Sequence, residues 1–271
     1  LSIRRQRQMC IRDRAKLLAG GHSLIPLMRF RLAAPAMLVD IGRLADLSYI
    51  NDAGDHIAIG AMATHWMVES SDVIAAKAPA LRDAAASIGD VQVRNRGTIG
   101  GAMAHSDPAA DYPGPILALD ASMVIQGPSG QRVVSAKDYF VALWETAVQP
   151  DELLVEIRVP TTSMNANSCY EKFAQPASRY PYVGCAVAVD KSGGTCSDVR
   201  VGFSGVGHVG FRDSNVEGAL KGQALSAASI KAAADTATNG VDVLSDWSVS
   251  EDYRRAMSRV YARRALTKVG L

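Results

Sequence analysis

One segment of the sequence combines glycines, a hydroxyl group and charged side chains at a spacing suited to holding a phosphate. Residues 94–111 read Arg-Asn-Arg-Gly-Thr-Ile-Gly-Gly-Ala-Met-Ala-His-Ser-Asp-Pro-Ala-Ala-Asp. Glycine lets backbone N–H groups approach a ligand closely, and successive free N–H groups form a concave nest for an anion. Thr98 adds a hydroxyl donor, and the aspartates are able to accept from ribose hydroxyls. The segment therefore predicts a site for a nucleotide phosphate.

A second glycine pair lies far upstream, in the run Ala19, Gly20, Gly21, His22 and Ser23. An apolar pair precedes this run and a longer apolar stretch follows it, a pattern that predicts a strand, a turn and a helix. A single Gly-Gly pair is more often an ordinary tight turn. Two such turns in one chain suit a pyrophosphate that is held from both sides, and this is the central prediction from the sequence.

Other motifs give weaker support for other chemistry. Residues 205–210 match G-x-G-x-x-G after a predicted strand, which is the pattern of a nicotinamide-dinucleotide site. We predict a capping box of Ser214 and Glu217, which would start the next helix too late for that site. His22 and His105 stand beside the glycine turns and hydrogen-bond either a ligand or the backbone. No histidine pair, nucleophile elbow or P-loop supports metal, acyl-transfer or P-loop chemistry.

The composition is that of a globular protein with room for two domains. The 271 residues are 48% hydrophobic and 21% charged, and their net charge of +2 gives no reason to expect nucleic acid as a partner. No apolar run approaches the ~18 residues of a membrane helix. The cysteines show no C-x-x-C spacing, so they indicate free thiols in a reducing compartment, here the cytoplasm. They are Cys10, Cys169, Cys185 and Cys196.

The elements around the two turns are predicted to alternate between strands and helices. Strands are predicted at 16–19, 37–40, 56–59 and 153–159. Helices are predicted at 24–30, after Thr64, at 79–87 and at 115–119. A hairpin is predicted at 123–134. A polar stretch at 161–167 is the predicted domain boundary. Beyond it, strands at 169–174, 182–190 and 197–204 predict an antiparallel meander. Helices are predicted at 215–220, 227–239 and 249–269, the last with a capping box of Ser248 and Glu251.

The two glycine turns resemble those of a known family, the FAD-binding medium subunits of molybdenum hydroxylases, and among them the aerobic carbon monoxide dehydrogenase group. That group carries an A-G-G-H-S turn and a T-I-G-G turn, and both are present here. The similarity extends over residues 15–271 and includes the segments 92–96, 104–108, 155–160, 170–173 and 251–255. It implies an α+β fold: a two-part FAD-binding domain of the PCMH (vanillyl-alcohol-oxidase-like) type at 15–160, followed by a smaller domain at 168–271 with a three-stranded antiparallel sheet and helices.

The resemblance also implies which residues bind FAD. It assigns Ile88 to the adenine, Asp111 to the adenine-side ribose and Lys172 to the neighbourhood of the flavin. A cation there would favour the reduced anionic flavin, whereas the alternative for Lys172 is a solvated strand lysine. The full predicted set is Ala19, Gly20, Gly21, His22, Ser23, Ile88, Thr98, Ile99, Gly100, Gly101, Ala102, Asp111, Leu154 and Lys172.

The function implied by the resemblance is electron transfer. The chain is expected to pass electrons from 2Fe–2S clusters of a small partner subunit through FAD to a terminal acceptor, while a large partner subunit carries molybdopterin and oxidises the substrate. The expected assembly is a dimer of heterotrimers without nucleic acid or a membrane span. The alternatives are a stand-alone flavin reductase of the same fold and a scaffold subunit that has lost FAD. Residues 1–14 are expected to be a non-native leader whose presence in place of a strand and helix weakens FAD binding.

Overall fold

A small parallel strand pair opens the part of the chain that the structure describes. The computed structural model describes residues 15–271, so the predicted leader at 1–14 lies outside the described residues. Strand β1 (Ala15–Leu18) pairs in parallel with β2 (Met37–Asp40), and helix α1 (Leu24–Arg29) connects them. The first glycine turn occupies residues 19–23, between β1 and α1. It is therefore located at the strand end of a β-turn-α unit, as predicted.

A five-stranded antiparallel sheet forms the centre of the first part of the chain. Its spatial order is β3-β4-β9-β5-β6. The strands are β3 (Ile50–Asp52), β4 (His56–Gly60), β5 (Ser122–Gly127), β6 (Gly130–Ser135) and β9 (Leu153–Pro160), with a small hairpin of β7 (Phe140–Ala142) and β8 (Glu145–Thr146) beside them. Ile57, Ile59 and Met123 alternate into one buried core with Leu81 and Ile99 from the helices. Burial of such aliphatic side chains is the main stabilising contribution to this layer.

Seven helices lie within residues 61–160 of this part of the chain. They are α2 (His65–Ser70), α3 (Asp72–Lys77), α4 (Pro79–Ser87), α5 (Val91–Arg96), α6 (Ile99–His105), α7 (Pro113–Ala118) and α8 (Ala136–Tyr139). Thr64 caps α2 through its hydroxyl, and Pro79 begins α4, as predicted. Helices α3, α5, α6 and α8 were not predicted. Gly100 and Gly101 lie inside the first turn of helix α6, although the sequence predicted only a glycine turn at this position.

The second part of the chain is an antiparallel sheet with helices on one side. It contains β10 (Ser168–Ala174), β11 (Pro181–Ser192), β12 (Thr195–Ser204) and β13 (Phe211–Arg212), together with α9 (Ser163–Ala166), α10 (Ser214–Leu220), α11 (Ala227–Ala234) and α12 (Glu251–Gly270). The sheet order β10-β11-β12-β13 confirms the meander and adds a fourth, two-residue strand to the three predicted. Cys169, Cys185, Val187 and Phe203 are in its buried core, which is separate from the first.

Two predicted capping boxes in this part were wrong. The N-cap of α12 is Ser250, whose hydroxyl accepts from the Tyr253 N–H, rather than a capping box begun by Ser248. Asp213 caps α10, while the Glu217 carboxylate bonds Arg212 on β13. The polar stretch at 161–167, the predicted domain boundary, contains α9, which was not predicted. Its short turn is capped by a threonine hydroxyl, and isolated polar turns of this kind have no apolar periodicity to reveal them.

The two parts of the chain pack directly against each other. Helix α7 lies on β12, where a side chain at Gly202 would collide with the Gly114 carbonyl oxygen. The Gly114 N–H donates to Ser204 Oγ over 2.8 Å. Tyr170 on β10 is buried in the core of the first part. Within residues 15–271, no helix has the length and apolar character needed to cross a membrane.

Candidate cofactor-binding site

The first glycine turn presents a row of unsatisfied backbone N–H groups. Gly21 has a φ of +77°, in the left-handed region that favours glycine. Within residues 15–271 we find no acceptor for the N–H groups of Gly20, Gly21, His22 and Ser23. The Ser23 side chain makes no capping hydrogen bond either. Successive unsatisfied backbone N–H groups in a turn of this kind are suited to binding an anion.

The second glycine turn has the opposite character, because its N–H groups are already bonded. Thr98 Oγ1 accepts from the Gly101 N–H over 3.1 Å and so caps α6. The N–H groups of Ile99 and Gly100 donate to carbonyl oxygens in the segment that follows β4, at 3.0 and 2.9 Å. The expectation of an open nest of N–H groups at this turn was therefore wrong. What the turn contributes is its shape and the Thr98 hydroxyl.

The glycines of the two turns allow the turns to lie in contact. A side chain on Gly20 would collide with the Arg96 carbonyl oxygen and lie 2.8 Å from Gly97 Cα. A side chain on Gly101 would face the Ala19 methyl group at 3.7 Å. Gly100 instead faces Ala61 in the buried core, so it is required for packing and not for access to the first turn. The structure thus brings together two segments that are about eighty residues apart in the sequence.

A groove of about 280 Å³ runs along the first turn. It is lined by Leu18, Ala19, Gly20, Gly21, Ile25, Asp40, Gly42, Arg43 and Arg96. Within the described residues neither Arg43 nor Arg96 forms an ion pair, whereas Arg94 is bonded to Glu69 at 2.7 Å. The groove therefore combines two unpaired guanidinium groups with free N–H donors, a combination suited to a diphosphate.

Arg43 and Asp40 were missed in the sequence. Asp40 is the last residue of β2 and Arg43 follows three residues later, and because β2 pairs with β1 both lie at the same edge as the glycine turn. Asp40 Oδ1 accepts from the Gly42 N–H over 2.8 Å, which fixes the carboxylate in the groove. The glycine that follows the strand is the only signal that could have indicated this segment.

A buried ion pair joins the two parts of the chain. Lys172 Nζ lies 2.8 and 3.0 Å from the two carboxylate oxygens of Asp111, and both side chains are 7% exposed. The hydroxyl groups of Tyr170 and Ser87 donate to the same carboxylate, at 2.8 and 3.2 Å. Burial raises the pKa of Asp111, and the Lys172 ammonium and these hydroxyls oppose that shift. Burial likewise lowers the pKa of Lys172, against the pull of Asp111.

The G-x-G-x-x-G segment at residues 205–210 does not start a helix. The Gly205 N–H donates to the Pro108 carbonyl oxygen, and Gly207 bridges to Val243. The antiparallel strand β13 follows, and α10 begins only at Ser214. The prediction that this motif starts its helix too late is confirmed.

Comparison with known proteins identifies the family. The model of the FAD-binding domain in molybdopterin dehydrogenase matches residues 4–162, and that of the CO dehydrogenase flavoprotein C-terminal domain matches residues 168–269. The chain belongs to this FAD-binding family. It is 39% identical to the carbon monoxide dehydrogenase medium chain of Hydrogenophaga pseudoflava, over 93% of this chain and 88% of that one. It is 38% identical to the alpha subunit of the 6-hydroxypseudooxynicotine dehydrogenase complex of Paenarthrobacter nicotinovorans, over 94% of this chain and 87% of that one.

Solved structures give the same result. A carbon monoxide dehydrogenase chain from Hydrogenophaga pseudoflava superimposes with a TM-score of 0.89 at 40% identity, covering 94% of this chain and 89% of that one. A Cu,Mo-CO dehydrogenase chain superimposes with a TM-score of 0.90 at 35% identity, covering 97% and 93%. The predicted α+β FAD-binding fold, the oxidoreductase family and FAD as its cofactor are thereby confirmed.

The remaining residues predicted from the family differ in their surroundings. Ile88 is the C-cap residue of α4 and is half-buried, and its carbonyl oxygen accepts from Arg94 at 2.7 Å. Leu154 is 3% exposed in the core of the sheet. The alternative of a solvated strand lysine for Lys172 is wrong, because that side chain is buried and paired. FAD contacts at Asp111 and Lys172 stay predictions, and they would require one of these groups to exchange its present partner.

A buried histidine lies near the second glycine turn in addition to those that the sequence marked. His105 is the last residue of α6, one helical turn after Gly101. His65 faces Gly97 just before that turn, although no sequence motif marked it. It is 5% exposed, and its Nδ1 lies 2.9 Å from the Tyr112 hydroxyl. Burial lowers the pKa of His65 from 6.5 to about 4, assisted by His22 and Arg94 nearby.

This low pKa of His65 predicts acid-sensitive stability. The unfolded chain takes up a proton at this position near pH 6.5, whereas the folded chain does so only near pH 4. The stabilising contribution is therefore complete above pH 6.5 and is lost as the pH falls towards 4, and at about pH 5 the loss amounts to ~2 kcal/mol. Urea unfolding of His65→Gln should show a correspondingly weaker pH dependence. An identical slope for the wild type and this variant would contradict the prediction.

Proposed function

We propose that this chain is the FAD-binding electron-transfer subunit of a molybdenum hydroxylase complex located in the cytoplasm. The observation that carries the proposal is the groove at the first glycine turn, where free N–H groups and two unpaired arginines converge within the residues described. The proposal includes a division into domains at 15–160 and 168–271, which is supported by the two separate buried cores. It also includes the FAD-binding residue set predicted from the sequence.

The groove fits the diphosphate of FAD in charge and in hydrogen-bonding capacity. A diphosphate brings two negative charges and several acceptor oxygens, but no donors at neutral pH. The free N–H groups at residues 20–23 supply donors without the entropy cost of ordering long side chains. Arg43 and Arg96 supply positive charge at the same groove. Gly20 has no side chain, so the Arg96 carbonyl oxygen lies against it and Arg96 is held beside the first turn.

The protein's share in the reaction is to bind and orient the cofactor. Bound FAD supplies the redox chemistry, accepting electrons from one partner and delivering them to another. The two glycine turns hold the diphosphate end, and α7 and β12 fix the C-terminal sheet against the FAD-binding domain. The buried ion pair of Asp111 and Lys172 connects the two domains across this junction, and each charge compensates the other. A rigid junction of this kind is suited to holding an extended ligand that reaches both domains.

The names of the relatives support partner subunits for this chain. Relatives are named as the medium chains of carbon monoxide dehydrogenase and glyceraldehyde dehydrogenase and as the medium subunit of nicotine 6-hydroxylase. We propose that this chain assembles with a large molybdopterin subunit and a small subunit with 2Fe–2S clusters, as a dimer of heterotrimers. Electrons would pass from the small subunit to FAD and then to a terminal acceptor.

The proposal predicts a yellow protein that oxidises no organic substrate by itself. Expressed alone and supplied with FAD, the chain should retain the flavin through gel filtration and reduce artificial acceptors only slowly. Co-expression with neighbouring genes should yield a complex with molybdenum and iron, measured by metal analysis. Turnover of carbon monoxide or a purine by the isolated chain would contradict the subunit role. A colourless protein would support the scaffold alternative, and rapid oxidation of a nicotinamide cofactor would support the stand-alone reductase.

A further inference from the structure

The hairpin of β7 and β8 ends in a tip of exposed apolar side chains. This hairpin tip is residues 141–144, with the sequence Val-Ala-Leu-Trp. Val141 is 56% exposed, Leu143 is 46% exposed and Trp144 is 63% exposed. The turn of a tight hairpin usually carries glycine, asparagine, aspartate or serine, because these residues suit its backbone and its contact with water. A contiguous apolar patch on a protein surface indicates an interaction site.

Trp144 also has a backbone conformation that a bulky side chain disfavours. Strands β7 and β8 pair at Ala142 and Glu145, so Leu143 and Trp144 are the two central residues of the turn. Trp144 has a φ of +57°, in the left-handed region. A turn with a positive φ at its second central position normally carries glycine or asparagine there. A bulky residue in this conformation is uncommon, and such residues cluster at functional sites.

The base of the hairpin is fixed, so the tip is held in one position. Tyr139 is fully buried and Phe140 is 8% exposed, and their rings pack edge to face with the centroids 5.2 Å apart. The Ala147 N–H donates to the Tyr139 carbonyl oxygen over 2.9 Å. Arg132 donates to both carboxylate oxygens of Glu152 and to the Ala147 carbonyl oxygen. A side chain on a rigid support loses little conformational freedom on binding, and more of its contact energy remains as affinity.

The hairpin contacts the far end of the helix that begins at the second glycine turn. Helix α6 starts after its N-cap Thr98 and ends before its C-cap Ser106, and its seven residues span about 10 Å. Ser106 is 3% exposed, and its Oγ lies 3.5 Å from the Glu145 carbonyl oxygen in β8. The hairpin is therefore one short helix away from the contact between the two glycine turns. A partner docked on the tip lies near the proposed FAD site, which suits electron exchange with that cofactor.

The size and the charge of the hairpin tip indicate which kind of partner it fits. A stable interface takes roughly 20–30 residues from each side, so a symmetric contact of one tip with the tip of a second copy would bury too little surface. The exposed carboxylates of Asp138 and Glu145 flank the tip, together with the single cation Lys137. Within residues 15–271 neither carboxylate has an ion-pair partner. This acidic rim disfavours an anionic lipid surface and fits a polypeptide surface with cations around an apolar pocket.

We propose that the hairpin tip is the docking site for the partner subunit that passes electrons to FAD, and that Trp144 is the anchor that fills an apolar pocket of that subunit. This inference rests on the proposed function and assigns a surface to one of its partners. Tryptophan is among the residues that contribute most to binding at interfaces. Leu143 and Val141 complete the apolar contact, and Glu145 meets the cationic rim of the pocket. The unusual backbone at Trp144 is retained because its side chain serves the interface rather than the fold.

The variant Trp144→Asn separates docking from folding and from FAD binding. Asparagine tolerates the left-handed backbone, so the isolated variant should unfold at the same or a higher denaturant concentration than the wild type and should bind FAD equally well. In the co-expressed complex its affinity for the partner subunit should fall at least tenfold, measured by analytical ultracentrifugation. Leu143→Ser should weaken the complex in the same direction. The control Trp247→Ala removes a tryptophan that is 95% exposed outside the hairpin, and it should assemble like the wild type.

Hydroxyl-radical footprinting of the wild-type chain provides a measurement that does not depend on any variant folding. Trp144 should be oxidised readily in the isolated chain and severalfold less in the co-expressed complex, whereas the oxidation of Trp247 should stay the same. Equal oxidation of Trp144 in both states would overturn the inference, as would a Trp144→Asn complex of wild-type affinity.

Two further outcomes would assign the hairpin tip to a different occupant and so overturn the inference. Protection of Trp144 by vesicles of phosphatidylcholine and phosphatidylserine would indicate a lipid surface. Protection that rises with the concentration of the isolated chain would indicate a second copy. If the wild-type chain forms no complex on co-expression, the proposed function fails and the docking site fails with it. A complex in which Trp144 stays unprotected leaves the proposed function standing and removes this inference alone.

Discussion

Gly20→Val should lose FAD binding by a factor of one hundred or more. The new side chain would collide with the Arg96 carbonyl oxygen, which is backbone and cannot rotate away. The two turns would therefore have to separate, and the free N–H groups would leave their position beside Arg96. A displacement of about an ångström is enough to remove charge-assisted hydrogen bonds, and two such bonds account for the expected factor. Titration of the purified variant with FAD, followed by flavin fluorescence, measures it.

The control for this variant is Gly218→Val. Gly218 is on the surface of α10, where an added side chain meets nothing within 4 Å. It should bind FAD as the wild type does, with little change in unfolding free energy. Gly100→Val does not test the groove in the way that Gly20→Val does. Gly100 packs on Ala61, so this variant would disturb the core instead. Wild-type affinity in a folded Gly20→Val protein would mean that FAD does not use the contact between the turns.

Lys172→Met should destabilise the folded chain by about 3–5 kcal/mol. The variant leaves the Asp111 carboxylate buried without its cation, and an uncompensated buried charge is among the most costly changes in a core. The Tyr170 and Ser87 hydroxyls remain as donors, but they do not neutralise the charge. The pKa of Asp111, already raised by burial, should rise further. Denaturant unfolding at neutral pH measures the loss.

The pH dependence and a double variant distinguish this cause from simple loss of packing. Because the folded pKa of Asp111 lies above its unfolded value, the variant should regain stability relative to the wild type as the pH falls and Asp111 takes up a proton. The double variant Lys172→Met with Asp111→Asn removes both charges and should recover much of the loss. Strictly additive losses in the two single variants would show that the pair is not coupled.

Local sequence patterns determined most of the elements and the place of the first turn. Glycine pairs, caps and strand alternation act over a few residues, so they are visible without the fold. Thr64, Pro79 and the hairpin at residues 122–135 formed as predicted for this reason. The resemblance in the two turns was sufficient to identify the FAD-binding family. Short polar helices such as α5 and α9 were not predicted, because their sequences have no apolar periodicity.

The chemistry of the site was decided by contacts between residues far apart in the sequence. Whether an N–H group is free depends on what lies opposite it. The N–H groups of the first turn have no acceptor within residues 15–271, whereas those of the second turn donate to carbonyl oxygens in the segment after β4. Arg43 reaches the groove only because β2 pairs with β1. Asp111 and Lys172 meet across 61 residues, and their burial, which no sequence pattern shows, sets both pKa shifts.

His65 shows most clearly the difference between what the sequence determines and what the tertiary structure decides. The sequence places a histidine after a helix cap, and that position by itself indicates nothing about chemistry. Folding buries the ring, sets Tyr112 against Nδ1 and turns Nε2 towards Gly97. Protonation and tautomer depend on desolvation and on the nearest hydrogen-bond partner, and both are properties of the surrounding space rather than of neighbouring residues in the chain. The sequence therefore determined the family and its cofactor, while the tertiary structure alone decided which groups are free to hold that cofactor.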